Sequence, residues 1–255
     1  MRKTYIDNIR WMTVVLVVIY HVFYMFNGEV TSGVIGPFTP VQYQDVVQYF
    51  VYPWFMLLLF VISGMSARFY LNGHSDKEFL KSRTTKLLVP STIGLFVFWW
   101  ILGYYNMMIG GAFENMSAVP KPLLYVIMAV SGIGALWYIQ LLWVVSLFLL
   151  FIRKIEKDRL YGLCEKANLP VLLCMTPVIW GAAQILNTPV IVVYRFGIYG
   201  VGFLLGYFIF SHDAVMERLE KWWLPLSLAA LGMSIGFVFT FWGAPYAQHQ
   251  VLDTF

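Results

Sequence analysis

Charge is what this sequence has least of. Only 12% of its 255 residues are charged, against 60% apolar. A soluble domain of ordinary composition carries about a quarter charged residues, so that class is excluded. Cysteine is nearly absent as well. Cys164, in a basic loop, and Cys174, in an apolar run, form neither a CxxC pair nor a disulfide framework. No small-residue cleavage site follows the N-terminal apolar run, so that run reads as a retained span and not as a signal peptide. No internal repeat and no low-complexity linker divides the chain, which leaves one domain over residues 1–255. His74, His212 and His249 have no metal-ligand spacing with His21 or with each other, and no metal is expected. The net charge of +4 sits in short loops, where basic residues set membrane orientation, so it does not point to nucleic acid.

Apolar stretches recur instead, at the roughly 17–25 residues that cross a bilayer. They predict an all-α fold: a polytopic integral membrane bundle of seven helices, with the lipid bilayer as its first partner. The expected spans are 9–26, 49–70, 87–106, 135–152, 169–186, 190–210 and 222–242. Pro53 falls near the start of the second, where proline costs a helix least. A tight turn at Asn187-Thr188-Pro189 joins the fifth to the sixth, and a short polar tail, 243–255, closes the chain. With the N-terminus in the cytoplasm, all 17 Lys and Arg residues except Lys121 and Arg195 fall at cytoplasmic loops or ends. That is the positive-inside pattern, and it puts the C-terminus outside. It opposes a seven-helix receptor or rhodopsin reading, and the seventh span also carries no lysine for a retinal Schiff base.

The first span carries two groups that membranes rarely hold. Arg10 opens it and His21 follows eleven residues later. Eleven helical steps make about three turns, so both side chains share a face about 16 Å apart along the axis. Ionisable residues inside a membrane are costly and face an interior or a wet cavity. Alone, Arg10 reads as a positive-inside anchor and His21 equally well as a packing residue. Together they read differently. A guanidinium at the cytoplasmic edge suits a phosphate-bearing donor through forked, charge-assisted hydrogen bonds. An imidazole inside the membrane suits proton transfer to or from a hydroxyl.

Several motifs in order resemble membrane acyltransferase family 3, whose members acylate sugars and related surface molecules with acyl-coenzyme A. Asp7-Asn8-Ile9-Arg10, ten further residues and His21 match its hallmark, and Phe60-Val61-Ile62-Ser63-Gly64 matches its second-span pattern. The run from Arg83 to Pro90 resembles its basic motif, Leu136-Trp137-Tyr138-Ile139 its Leu-Trp-aromatic motif, and Tyr194 to Gly206 its later Gly-rich span. Two departures stand out. Lys86 occupies the second basic position, where the family has arginine, and it keeps the charge without the fork. The family also has more spans than the seven read here, so C-terminal spans are expected to be missing from the 255 residues.

The resemblance implies an O-acyltransferase that takes an acyl group, acetyl foremost, from acyl-CoA to a hydroxyl of a sugar or of a lipid-linked or cell-surface glycan. Arg10 and His21 are then the expected catalytic residues, with His21 either general base or transient nucleophile. Arg10, Arg83, Lys86 and Ser63 are the expected donor contacts. Arg195, inside the sixth span, and Trp137 are the expected acceptor contacts. Each has a plainer alternative. Arg83 and Lys86 serve equally as positive-inside charge, and Ser63, Gly64, Gly202 and Gly206 as close helix packing. Trp137, Tyr138, Trp222, Trp223 and Trp242 read by default as aromatic-belt anchors. Two other classes compete: a transporter or proton-coupled carrier lined by Arg10, His21 and Arg195, and an inactive fragment. Against the transporter, no duplicated half and no paired broken helices are seen.

Overall fold

Residues 3–26, 34–36, 45–186 and 194–242 are described by a computed structural model, and every element among them is helical. In chain order these are α1 (Thr4–Tyr24), α2 (Asp45–Leu71), α3 (Asp76–Ile109), α4 (Lys121–Ser131), α5 (Leu136–Glu156) and α6 (Arg159–Cys164). α7 (Leu169–Ala182, broken at Cys174), α8 (Phe196–Phe210), α9 (Asp213–Glu220) and α10 (Trp223–Phe241) follow. Helices α1, α2, α3, α5 and α10 are long and apolar enough to cross a membrane. A sixth span is available if α8 and α9 count together, although they meet at a 94° bend. α9, with the sequence DAVMERLE, is too charged to lie in hydrocarbon, so the bend marks where the chain leaves it.

The expected count of seven is therefore not reached by helix length among the described residues. α7 covers about 21 Å at 1.5 Å per residue, short of the roughly 30 Å hydrocarbon core. Asn168 caps its start by accepting from the Val171 amide at 3.2 Å, and past its end Leu186 takes a left-handed φ of 56°. The turn expected at Asn187-Thr188-Pro189 and the tail 243–255, with His249, lie outside the described residues. α2 starts four residues ahead of the expected boundary, which puts Pro53 well inside the helix. There it removes the amide that would bond the Tyr49 carbonyl.

The centre of the bundle is α2, α5 and α8, where Phe60, Leu141, Leu149, Ile198 and Phe203 are fully buried. α2 and α8 cross at backbone contact. A Cβ on Gly64 would stand 1.9 Å from the Phe203 carbonyl oxygen, and one on Gly206 would stand 1.9 Å from that of Val61. Lipid tails are as apolar as the helices, so such close approach supplies the packing energy that burial does not. α1 lies on α2 along the stripe Ile6, Thr13 and Tyr20, while Trp11, Met12 and Val18 face outward. α3 pairs with α4, and α10 touches α2 through Tyr49 and Phe237, rings 6.4 Å apart, with none of its own residues buried.

Most basic residues gather at one end of the bundle, where loops are tied to helices by charge. The Arg68 guanidinium donates to Asp158 at 2.5 Å and to the Tyr207 hydroxyl at 3.1 Å, and it covers the Tyr161 ring at 3.5 Å. Lys3 pairs with Asp213 at 2.6 Å, and Arg153 pairs with Asp76. A capping box opens α3: Ser75 Oγ accepts from the Glu78 amide while the Glu78 carboxylate accepts from the Ser75 amide. Within α3 the α-ladder loosens into π turns at Thr84–Leu88 and Leu95–Trp99, and α8 ends in a third at Gly206–Phe210.

Candidate active site

α1 is an unbroken helix over Thr4–Tyr24, so Arg10 and His21 stand on it three turns apart. At the Arg10 level four helices converge. Its Nη1 donates to Asp7 at 3.1 Å and its Nη2 to Ser66 Oγ, on α2, at 2.6 Å. Ser66 passes its own proton to the Ile62 carbonyl at 2.8 Å, which leaves its lone pairs for the arginine. One turn along α2, Ser63 Oγ and the Tyr138 hydroxyl of α5 lie 2.9 Å apart. Arg83 of α3 stacks over Phe79 at 5.0 Å and lies within electrostatic reach of Arg10 and Tyr138. Among the described residues Arg83 pairs with no carboxylate. Two guanidiniums thus share a site that holds one carboxylate, Asp7, an arrangement with capacity for a further anion.

The His21 level is aromatic. His21 Nδ1 lies 2.7 Å from the Val17 carbonyl, which can only accept. In the neutral ring the proton therefore sits on Nδ1, and the lone pair is on the exposed Nε2. Tyr20 meets His21 edge-on at 5.4 Å and stacks on Tyr52 of α2 at 6.1 Å. The Tyr52 hydroxyl accepts from Arg195 Nη1 at 3.2 Å, and Arg195 is 2% exposed. Beside them the Tyr194 hydroxyl donates to Gln140 Oε1 at 2.6 Å. A chain of contacts thus runs from His21 to the buried Arg195.

A family model described as an acyltransferase domain matches residues 3–254, nearly the whole chain. The chain belongs to acyltransferase family 3. No curated protein and no solved structure matches it significantly. Family membership and the long apolar helices make this acyltransferase a multi-pass membrane protein.

Of the residues singled out from the acyltransferase's sequence, Arg10, Arg83 and Ser63 come together at the first level, and His21 and Arg195 at the second. Lys86 is exposed on the first π turn of α3. Trp137 and Tyr138 depart from the aromatic-belt default. Trp137 is 9% exposed and packs on Tyr199 at 5.2 Å and Phe60 at 6.3 Å, because it starts α5 where that helix enters the α2–α8 core. Trp222, Trp223 and Trp242 are exposed, as anchors are. The sequence reading missed Ser66, Tyr52 and the inward turn of Tyr138. Ser63 and Ser66, three apart on one helix, carried a legible signal of a shared polar face. Among the described residues no group of three or more His, Cys, Asp or Glu is placed to hold a metal.

Proposed function

We propose that this acyltransferase moves an acyl group, acetyl foremost, from acyl-CoA to a hydroxyl of a sugar, either free or within a lipid-linked or cell-surface glycan. The observation that carries this reading is the two-level site along α1, with the guanidiniums of Arg10 and Arg83 at one level and at the other an exposed histidine whose lone pair is on Nε2. Arg10 and Arg83, with Lys86 nearby, bind the donor's phosphates by charge-assisted hydrogen bonds. Ser66 and Asp7 hold the Arg10 fork in place. The donor then extends along α1 so that its thioester meets the acceptor beside His21, three turns away.

His21 Nε2 takes the proton of the acceptor hydroxyl as its oxygen attacks the thioester carbonyl carbon. The carbon–sulfur bond breaks, an ester forms, and the coenzyme leaves as a thiolate that receives the proton from His21. Arg195 and Tyr52, with Trp137 behind them, bind and orient the acceptor. The positive-inside pattern supports a cytoplasmic position for the Arg10 level, and with it entry of the donor from the cytoplasm.

The test is acyl transfer by purified protein in detergent, using labelled acetyl-CoA and sugar acceptors. Label in the sugar, with free thiol released in equal amount, is expected. Without acceptor, quenched single-turnover reactions separate the two roles of His21, since a nucleophile accumulates acyl-histidine and a base does not. Solute flux through reconstituted vesicles with no coenzyme-dependent transfer or hydrolysis would overturn the reading in favour of a transporter.

A further inference from the structure

A second basic site lies apart from the Arg10 level, at the corner where α9 turns into α10. A groove of about 440 Å³ opens there, lined by Asn168, Leu169, Pro170, Arg218, Lys221 and Trp222. Its size falls within the roughly 300–1,000 Å³ of small-ligand sites. Among the described residues no carboxylate lines it. Arg218 is fixed, because its Nη1 donates to the Glu165 carbonyl at 2.7 Å and to the Ala167 carbonyl at 2.8 Å. Among the described residues the other nitrogens of that guanidinium have no hydrogen-bond partner. Lys221 is exposed and makes no ion pair or side-chain hydrogen bond among the described residues. Apart from Asn168, whose side chain caps α7, the remaining walls are apolar, and Trp222 and Trp223 are 50% and 63% exposed at the start of a membrane-crossing helix.

From these observations we infer that the groove binds the phosphate headgroup of an anionic phospholipid, held by Arg218 and Lys221. The lipid's chains run down the apolar faces below. Leu224 on α10 and Val171 and Leu173 on α7, each within three residues of the lining, are exposed, so the two helices that frame the groove offer hydrocarbon contact. Basic pockets between membrane helices recognise headgroups in this way. The apolar walls separate this occupant from a free phosphate, and a lining whose charged residues, Arg218 and Lys221, are both cationic separates it from a zwitterionic headgroup. The site rests on the placement of the chain in a membrane, and not on the acyl-transfer reading.

The probe is phosphatidylglycerol added to delipidated protein in detergent, with bound lipid counted by native mass spectrometry against phosphatidylcholine. The parent is expected to retain phosphatidylglycerol selectively. Lys221→Gln should weaken that binding about fivefold, the factor that corresponds to roughly 1 kcal/mol for one basic residue near a membrane surface. Lys221→Arg should keep it, which shows that a loss in the glutamine variant is a loss of charge and not of fold. Arg218→Gln is the harsher variant, since it also frees two loop carbonyls. Equal retention of phosphatidylglycerol by the parent and Lys221→Gln overturns the assignment. So does equal retention of the two lipids by the parent. If glycerol phosphate alone displaces phosphatidylglycerol at comparable concentration, the groove takes a free anion and the lipid assignment falls.

Discussion

Ser66→Ala isolates what aims the Arg10 guanidinium. The variant removes the acceptor at 2.6 Å and leaves Asp7, at 3.1 Å on the same helix, as the partner of Arg10. A hydrogen bond to a charged group contributes about 1.5–3 kcal/mol net. The Arg10 side chain is 41% exposed, so water makes up part of the loss and the lower end applies. About 1.4 kcal/mol corresponds to a tenfold change in affinity. The apparent KM for acyl-CoA should therefore rise about tenfold, while kcat changes little because Ser66 acts at the Arg10 level, three turns of α1 from His21. Ser66→Thr keeps the hydroxyl and should restore most of the affinity. The assay is the initial rate of transfer against acyl-CoA concentration, in detergent, on protein that elutes as the parent does. If KM for Ser66→Ala stays within twofold of the parent while Arg10→Ala raises it severely, Ser66 has no part in aiming the arginine. If Arg10→Ala also leaves KM unchanged, Arg10 returns to being a membrane anchor.

His21→Ala should abolish transfer while the protein still inserts and elutes normally; transfer near the parent rate would remove His21 from the chemistry. Gly64→Ala forces a methyl against the Phe203 carbonyl and should destabilise the bundle by about 1–3 kcal/mol, read as a lower thermal midpoint in detergent. His212 is buried between Tyr161 and the start of α9, and burial holds its pKa below the ordinary histidine value of 6.5. It is neutral in the fold, so below 6.5 the unfolded chain takes up a proton that the folded one does not. Stability should then fall as pH drops from 6.5 to the lower folded value, and His212→Gln, which can still donate to the Tyr161 carbonyl, should flatten that slope. Gly73→Cys, in a roomy loop between α2 and α3, tests orientation on a background lacking Cys164 and Cys174. An impermeant thiol reagent should label it only after cells are permeabilised; labelling of intact cells would invert the topology.

The helical fold and the relative placement of several candidate site residues were legible in the sequence for a simple reason. Apolar runs of spanning length admit few structures in lipid, and an eleven-residue spacing places Arg10 and His21 on one face whatever surrounds them. Periodicity does not say what a face packs against. Tyr138 and Trp137 resemble interface anchors until α5 is seen to enter the core with them first, and Tyr52 looks like any other span residue until Arg195, just ahead of α8, is seen to reach it. The length of α7 was hidden for a similar reason, because composition continues past the point where backbone geometry stops the helix. Ser66 was the avoidable omission, one turn from a serine already singled out.

The π turn at Thr84–Leu88 is the trace of one residue more than an α-ladder needs. Each extra residue rotates everything beyond it by about 100° about the helix axis. Arg83 lies just before that turn and Lys86 within it, so the rotation separates the face that meets Arg10 from the face that carries the lysine. An α3 one residue shorter here would wind regularly, and with the Ser75 cap and Arg83 fixed ahead of the turn, the part beyond it that pairs with α4 would swing by about 100° about the axis. The partition of charge along α3 is thus written in chain length as much as in residue type, and an insertion or deletion at this point would redirect the site more thoroughly than any substitution.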